Sequence, residues 1–310
     1  MIAADMSATT SAGIWHARRG PVALRKGDRW IRPWSGVADE PIVDGQHLLI
    51  STHAWWMNTH HLLRDRRGVP EQLPYVSLVE HRLDCWVPTD PANDWLLDRR
   101  TTGRRIWLRG SEELARAAGL DTGHGGPVEG RFRAPYGLFY AERDGDPPVP
   151  RAGGWQQPDQ QFFTGLPRTA DQMLQRLQHD SPDRPWSGPF AYACDALRTG
   201  RVPAELRSVI YQALLLLDDV ELTGPTTDVD GRPCLALQHR TSRRISELLI
   251  DPDNGHFAGH RNTINDDSGP APDGTVSGSS SVITRVVDHL GDIPHDLATL
   301  RRDGAPVLVD

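Results

Sequence analysis

The chain of 310 residues contains few cysteines, and their spacing excludes the commonest cysteine-based sites. Cys85, Cys194 and Cys234 lack the Cys-x-x-Cys spacing of zinc ribbons and of thioredoxin-type redox centres. Each lies among apolar neighbours, so free buried thiols are the first interpretation. A disulfide between Cys194 and Cys234 is the alternative, because an oxidising compartment would permit it.

Long apolar runs and positive charge are also missing. No stretch approaches the roughly 18 apolar residues that span a bilayer, and residues 1–20 lack the hydrophobic core of a signal peptide. The sequence as written therefore predicts a soluble chain without a membrane span. The net charge of -7 argues against nucleic acid as a partner, because neutralising phosphates needs a basic surface.

Local catalytic motifs are missing as well, whether nucleophile elbows, phosphate-binding loops or dinucleotide-binding turns. We therefore predict no catalytic residue and no cofactor. A metal site at His53, His60 and His61 is disfavoured, because adjacent histidines cannot readily face one ion. Residues 251–254 echo the start of a calcium loop but lack its later glutamate, so a turn explains them.

Glycine and proline, by contrast, are abundant. The 29 glycines and 25 prolines make about a sixth of the chain, above the usual share of about 12%. This excess favours many turns and short strands over a helical bundle. Together with 38% apolar and 24% charged residues, the composition predicts an α+β protein with a large sheet.

The most regular pattern runs from residue 166 to residue 250. Thr169 is predicted to cap a helix over 170–178, and a second helix is predicted over 203–217, with Pro203 in its first turn. The second helix should be the most buried, since apolar residues recur at helical spacing, among them Leu206, Ile210 and Leu214.

Alternating patterns predict strands over 46–56, 75–87, 95–101, 104–109, 138–142, 220–223, 234–238, 245–250, 256–261 and 281–288. The Asp-Gly pair at 230–231 and the Asn-Gly pair at 254–255 predict hairpin turns in which both residues have positive φ. The Thr-Gly pair at 102–103 predicts a third hairpin. In the 75–87 strand, Glu80 and Asp84 are expected on a solvent-exposed face.

The same patterns predict how the chain is divided. Residues 1–36 show no persistent period and are expected to form a loosely ordered lead-in. Residues 37–294 are predicted to form a single α+β domain whose two halves share one sheet, and residues 295–310 a loosely attached tail. Ser111 is expected to cap a short helix ending at Ala118.

Several phrases resemble a family of actinobacterial, membrane-anchored proteins of unknown function with an extracytoplasmic domain. They are "HRLDCWVPTDPANDWLLDRRTTGRRIWLRG", "TGLPRTADQMLQRL", "DALRTGRVPAELRSVIYQALLLLDDVEL" and "SSSVITRVVDHLGDIP". The resemblance covers residues 44–294 and implies an extracytoplasmic location, although this chain shows no signal peptide or anchor. More remotely, the order of elements is similar to the lipoprotein-carrier fold of envelope carriers and of sensors that regulate anti-sigma factors. That fold implies a large curved antiparallel sheet with helices packed on its concave face.

The resulting functional expectation is a non-enzymatic envelope binding or sensor domain. It would cradle a lipid or other apolar ligand, or an envelope or anti-sigma-type protein partner, between the sheet and the helices. The residues expected to line the ligand site are Leu83, Cys85, Trp95, Leu97, Trp107, Leu206, Ile210 and Leu214. The tryptophans among them could equally fill the core.

Two alternatives stay open. One is a hydrolase whose site combines His53, His60 or His61 with a distant carboxylate. The other is a purely structural cell-surface module, which would have no sizeable cavity.

Overall fold

The computed structural model describes residues 22–24, 38–60, 75–117, 129–139, 152–181, 188–266 and 271–298. Its strands are β1 (Val22–Leu24), β2 (His47–His60), β3 (Tyr75–Pro88), β4 (Asp94–Arg109), β5 (Gly130–Pro135), β6 (Val220–Thr227), β7 (Pro233–Arg240), β8 (Arg244–Ile250), β9 (Phe257–Ile264) and β10 (Val276–Val287). Its helices are α1 (Glu112–Ala117), α2 (Gln160–Gly165), α3 (Ala170–Asp180), α4 (Pro189–Leu197) and α5 (Ala204–Leu214). None of these helices has the length and apolar character to cross a membrane.

The strands of the described ranges form one sheet, in the order β1-β6-β7-β8-β9-β10-β2-β3-β4-β5. Every neighbouring pair is antiparallel. The α+β class and the large antiparallel sheet are therefore confirmed, as is the prediction that both halves of the chain share it. Strand β2 lies inside the sheet, between β10 and β3. The similarity to lipoprotein carriers stays a prediction.

One face of the sheet is covered by α3, α4 and α5, and the main apolar core lies between these two layers. Ile210 and Leu214 of α5 have no exposed surface, and neither do Leu237 of β7 and Leu248 of β8, which lie beneath the helices. Burying a side chain of this kind stabilises the fold by about 1.5–3 kcal/mol. The prediction that this helix is deeply buried is correct, although α5 ends at Leu214, three residues early.

Both predicted hairpins of the second half are confirmed: residues 230–231 lie between β6 and β7, and residues 254–255 lie between β8 and β9. The expected turn type is wrong, because only Gly231 and Gly255 in these pairs have positive φ. The turns are longer and are closed by side chains. The carboxylates of Asp228 and Asp251 each accept a hydrogen bond of 2.9 Å from the backbone N–H two residues on. Residues 251–254 are thereby explained as a turn.

Two strand predictions need correction. Residues 95–109 are not a hairpin but one continuous strand, β4, because both parts pair with β3 and the 102–103 pair lies at a register shift. The strand predicted over 138–142 is also wrong for residues 138 and 139, the part of that range which the structure describes. Its place in the sheet is taken by β5, and Leu138 donates its N–H to the Pro135 carbonyl in a turn.

The helix termini follow the predictions only in part. Ser111 caps α1, since its hydroxyl accepts the Leu114 N–H at 3.2 Å. Thr169 is the N-cap residue of α3, but its side chain makes no capping hydrogen bond. Pro203 is the N-cap residue of α5 and not part of its first turn. Helices α2 and α4 were not predicted at all.

The cysteines are free thiols, as first interpreted. The Cys194–Cys234 disulfide is wrong, because Cys194 of α4 packs against the main core while Cys234 packs with Ala236 and Leu249 in a separate cluster. Several predicted regions lie outside the described residues: 299–310 of the tail, 61–74 with His61, and the lead-in apart from β1. Leu297, near the start of that tail, is buried in a cluster with Trp86.

Candidate functional site

The eight residues predicted to line a ligand site lie mainly in the packed core. Leu206, Ile210 and Leu214 have no exposed surface, and Trp95 and Leu97 are also buried. Cys85 packs against the same core from β3. Leu83 and Trp107 are partly exposed, and the Arg105 guanidinium lies 5.2 Å from the Trp107 ring centroid. None of the eight lines either cavity described below, so their role in binding stays a prediction.

A cavity of about 420 Å³ lies between α4 and strands β7, β8 and β9; we call it the α4 cavity. Its apolar lining comprises Pro189, Phe190, Ala191, Leu217 and Phe257. Its polar lining includes Asp195, Arg198, Asp219, His239, Arg244, Ser246, Glu247, His260 and Asn262. Polar side chains reach this cavity because the helix-facing positions of β7, β8 and β9 change from apolar to polar towards one end of the strands, where His239 pairs with Ser246 and Ser246 with Asn262.

His260 lies at the floor of the α4 cavity. Its Nδ1 is 2.8 Å from the Ser280 hydroxyl oxygen, which fixes the ring orientation. Burial, followed by the positive charges of Arg198 and Arg244, lowers the pKa of His260 to about 4. The imidazole is therefore neutral at neutral pH.

The other polar groups of the α4 cavity are held by neighbours. His239 Nε2 lies 2.9 Å from Asp219 Oδ2, and the His239 ring stacks on Phe190 of α4 with a centroid separation of 5.1 Å. The Ser246 hydroxyl donates to Asn262 Oδ1 at 2.9 Å. These contacts orient side chains from both layers around one volume, so the lining is preorganised for a ligand.

A second cavity, of about 490 Å³, lies where residues 38–42 meet the start of α5 and strands β9 and β10; we call it the Asp39 cavity. Asp39 accepts the Ala204 N–H at 2.8 Å and an Arg207 guanidinium N–H at 2.7 Å. Since the N-cap residue Pro203 makes no side-chain cap, Asp39 caps α5 from a distant part of the chain.

Asp39 also organises a short relay in this cavity. His256 Nε2 is 3.3 Å from Asp39 Oδ1, and His256 Nδ1 is 2.8 Å from the Thr284 hydroxyl. Burial raises the pKa of Asp39, but hydrogen bonds from His256, Arg207 and the Ala204 N–H outweigh it and hold the pKa well below its ordinary value. The order hydroxyl, imidazole, carboxylate is the one that nucleophilic catalysis uses.

The face of the sheet away from the helices carries a third group, which we call the His53 cluster: His53, Glu80, Asp230 and Ser281. His53 Nδ1 lies 2.6 Å from Asp230 Oδ1, and His53 Nε2 lies 2.8 Å from Glu80 Oε1. His53 and Glu80 are 3% and 1% exposed. Burial raises the pKa of Asp230, but the hydrogen bonds from His53 and Ser281 and nearby positive charges outweigh it, and the net pKa is lowered.

The His53 cluster corrects the prediction that Glu80 and Asp84 face solvent. Both are buried. The turn between β6 and β7 brings Asp230 against His53, the partner of Glu80, while Asp84 lies 3.9 Å from the Arg100 guanidinium. In a flat sheet the four strand spacings from β7 to β2 would separate Asp230 from His53 by about 19 Å. The turn instead packs Val229 against Trp55 of β2, and β6 has a register shift between Thr223 and Thr226.

The geometry of the His53 cluster bears on the hydrolase alternative. The structure does bring His53 together with carboxylates, as that alternative required. The 3% exposure of His53 means that no substrate reaches the ring unless the turn carrying Asp230 opens. The side chain of His60 lies outside the described residues, so its part in that alternative stays a prediction.

Sequence reasoning missed the residues that form both cavities. Helix α4 had a recognisable signal, since Gly188 is its N-cap and Pro189 occupies its first position. The role of Asp39 had no signal in the sequence, because its partners Ala204 and Arg207 are more than 160 residues away.

The comparisons with known proteins leave the family open. No model of a known protein family matches the chain, and no curated protein matches it.

Proposed function

We propose that this protein is a non-enzymatic binding domain whose ligand lies between the helices and the sheet. The α4 cavity carries the proposal. Its volume of about 420 Å³ is typical of small-molecule sites. Its lining joins an apolar wall to a few polar groups held by hydrogen bonds, as ligand sites commonly do. The two cavities also favour a binding domain over a purely structural module.

In this proposal the domain works in the cell envelope, as a carrier or as a sensor that reports its ligand to a partner protein of anti-sigma type. The support for the location is the resemblance of residues 44–294 to membrane-anchored, extracytoplasmic proteins. The support for the partner is the remoter similarity of the order of elements to the lipoprotein-carrier fold. Protease treatment of intact source cells tests the location. Cleavage of the chain without lysis agrees with the proposal, and protection until lysis contradicts it.

Native mass spectrometry of the protein purified from its source cells tests the binding. We expect a bound small molecule in the wild-type protein and its loss in Ala191→Trp, because an indole at this position would fill the α4 cavity. Ala298→Trp, outside the cavity, is the matched control and should keep the adduct. A wild-type protein that carries no adduct, and shows no thermal stabilisation by any compound of a metabolite and lipid panel, would contradict the proposal.

A second candidate function is ester hydrolysis in the Asp39 cavity, favoured by the Thr284–His256–Asp39 relay. His256 Nδ1 would take the Thr284 hydroxyl proton while Oγ1 attacks a substrate carbonyl, and the proton would pass to the leaving alcohol. Water, deprotonated by His256, would then cleave the acyl-threonine and return the proton to Thr284 Oγ1. It ranks second because Arg207 already balances the Asp39 charge. Labelling by a fluorophosphonate in the wild type but not in Thr284→Val would support it, and no labelling of the wild type would end it.

A further inference from the structure

We infer that the α4 cavity binds an amphipathic anion, with its head group beside Arg198, Arg244 and His260 and its apolar part against the wall of Phe190, Leu217 and Phe257. This inference rests on the proposed function and names its ligand class. It applies to carboxylates and to phosphate monoesters alike, since both present oxygen acceptors to guanidinium groups.

The carboxylates of the α4 cavity are already paired, so they offer little attraction to a cationic ligand. Three carboxylates line the cavity among the described residues, and each has a cationic or imidazole partner. Asp195 pairs with Arg198 at 3.0 Å, Asp219 with His239 at 2.9 Å, and Glu247 with Arg261 at 2.5 Å.

The charges that act on His260 come from Arg198 and Arg244, and both are positive. The floor of the cavity therefore repels a proton at His260 and attracts an anion. An anion bound beside the ring would reverse this effect and raise the pKa of His260 from about 4. Binding of an anion that stays ionised should then be accompanied by proton uptake near pH 5, and its affinity should rise as the pH falls from 8 to 5.

The position of the apolar residues supports an amphipathic molecule over a bare inorganic ion. Phe190 of α4 stacks on His239, so the aromatic wall adjoins the polar end of the cavity. Leu217 follows α5, and Phe257 opens β9 as part of the core. A ligand that filled only the charged end would leave this wall exposed to water within a cavity of about 420 Å³.

Isothermal titration calorimetry of the full chain with four ten-carbon probes tests the inference. The probes are decanoate, decyl phosphate, decanol and decylammonium. We expect both anions to bind at least tenfold more tightly than decanol, and decylammonium to bind most weakly. Arg198→Gln and Arg244→Gln should each weaken decanoate binding about tenfold. Arg240→Gln, which removes an exposed arginine of β7 outside the lining, is the matched control and should leave it unchanged.

The proton uptake is measured at pH 5 with decanesulfonate, which stays ionised at this pH whereas decanoate is partly protonated, in two buffers of different ionisation enthalpy. A buffer-dependent heat in the wild type, absent in His260→Gln, is expected. Equal affinity for decanol and decanoate would overturn the inference while leaving the proposed function intact. So would a bound molecule from source cells that proves to be uncharged. Absence of any bound molecule from source cells and of any probe binding would overturn both.

Discussion

The two faces of the sheet are stabilised in different ways. On the helix face, α5 and the strands beneath it exclude water with fully buried apolar side chains such as Ile210 and Leu237. On the opposite face, the turn between β6 and β7 combines an apolar contact of Val229 with Trp55 and a set of charged groups, with His53 between Glu80 and Asp230. The difference teaches that the apolar face supplies most of the stability, while the polar face determines where the turn lies.

The physical reason lies in the energetics of buried charge. Bringing an ion pair out of water costs about as much as the pair gains, so a complete pair adds little net stability. Removing one partner is different, because the other charge is left buried and unpaired. The His53 cluster should therefore be sensitive to single substitutions although the cluster as a whole adds little.

The largest loss of stability should follow from a substitution in the His53 cluster, on the face opposite the helices. Glu80→Ala removes one partner of His53 and also a partner of Arg104, so we expect a loss of about 3–5 kcal/mol in the free energy of unfolding. Urea denaturation measures it. Glu113→Gln, an exposed position of α1, is the control and should change stability by less than about 0.5 kcal/mol. A loss below 1 kcal/mol in Glu80→Ala would contradict the buried network.

A somewhat smaller effect is expected on the apolar face. Leu214→Ala leaves a cavity at a side chain with no exposed surface, and such changes cost about 2–5 kcal/mol. The exposed Leu114, at 59%, provides the comparison, since Leu114→Ala should be nearly neutral. Equal urea midpoints for the two variants would show that α5 does not pack on the sheet as described.

Asp39→Asn should give an intermediate effect that depends on pH. The lowered pKa of Asp39 means that its carboxylate stabilises the fold fully above the ordinary value of 3.8, and that this contribution disappears as the pH falls through the folded-state pKa. With the cap on α5 weakened, we expect a loss of about 1 kcal/mol at pH 7. The difference from the wild type should shrink below pH 4, and a difference that grows there would refute the assignment.

The smallest effect is expected at a surface ion pair. Arg116 and Glu112 lie one turn apart on α1 with an N–O distance of 3.1 Å, and Arg116 is 71% exposed. Arg116→Gln should cost about 0.5 kcal/mol or less, because exposed pairs are screened by water and salt. A loss of unfolding free energy close to that of Glu80→Ala would show that buried and exposed ion pairs do not differ in their effect on stability.

The sequence predicts one face of this molecule better than the other. The strand patterns and the hairpin turns are local signals, and so is the apolar spacing of α5, which is why most strands, the two hairpins of the second half and the burial of α5 are correct. The burial of Glu80 is not a local property, since it depends on Asp230, which lies 150 residues further along the chain. An alternating strand shows that Glu80 faces away from the helices but cannot show that a turn will cover it.

The candidate site was less predictable than the fold. The predicted ligand residues were chosen for apolar character, and that character placed Leu206, Ile210 and Leu214 in the packed core. A cavity persists where apolar packing gives way to polar groups, as at His260 and Asn262. Sequence patterns identify the residues that form an apolar core. They are less able to locate the edge of that core, where a cavity forms.

The most direct test of the account is to locate the bound ligand by a nitrogen-15 NMR titration with decanoate. We predict chemical-shift changes at the backbone amides of Phe190, His260 and Asn262, which line the α4 cavity, and none at Thr284 in the Asp39 cavity. Changes centred on Thr284, or spread along the exposed surface with none at His260, would contradict a ligand site between the helices and the sheet.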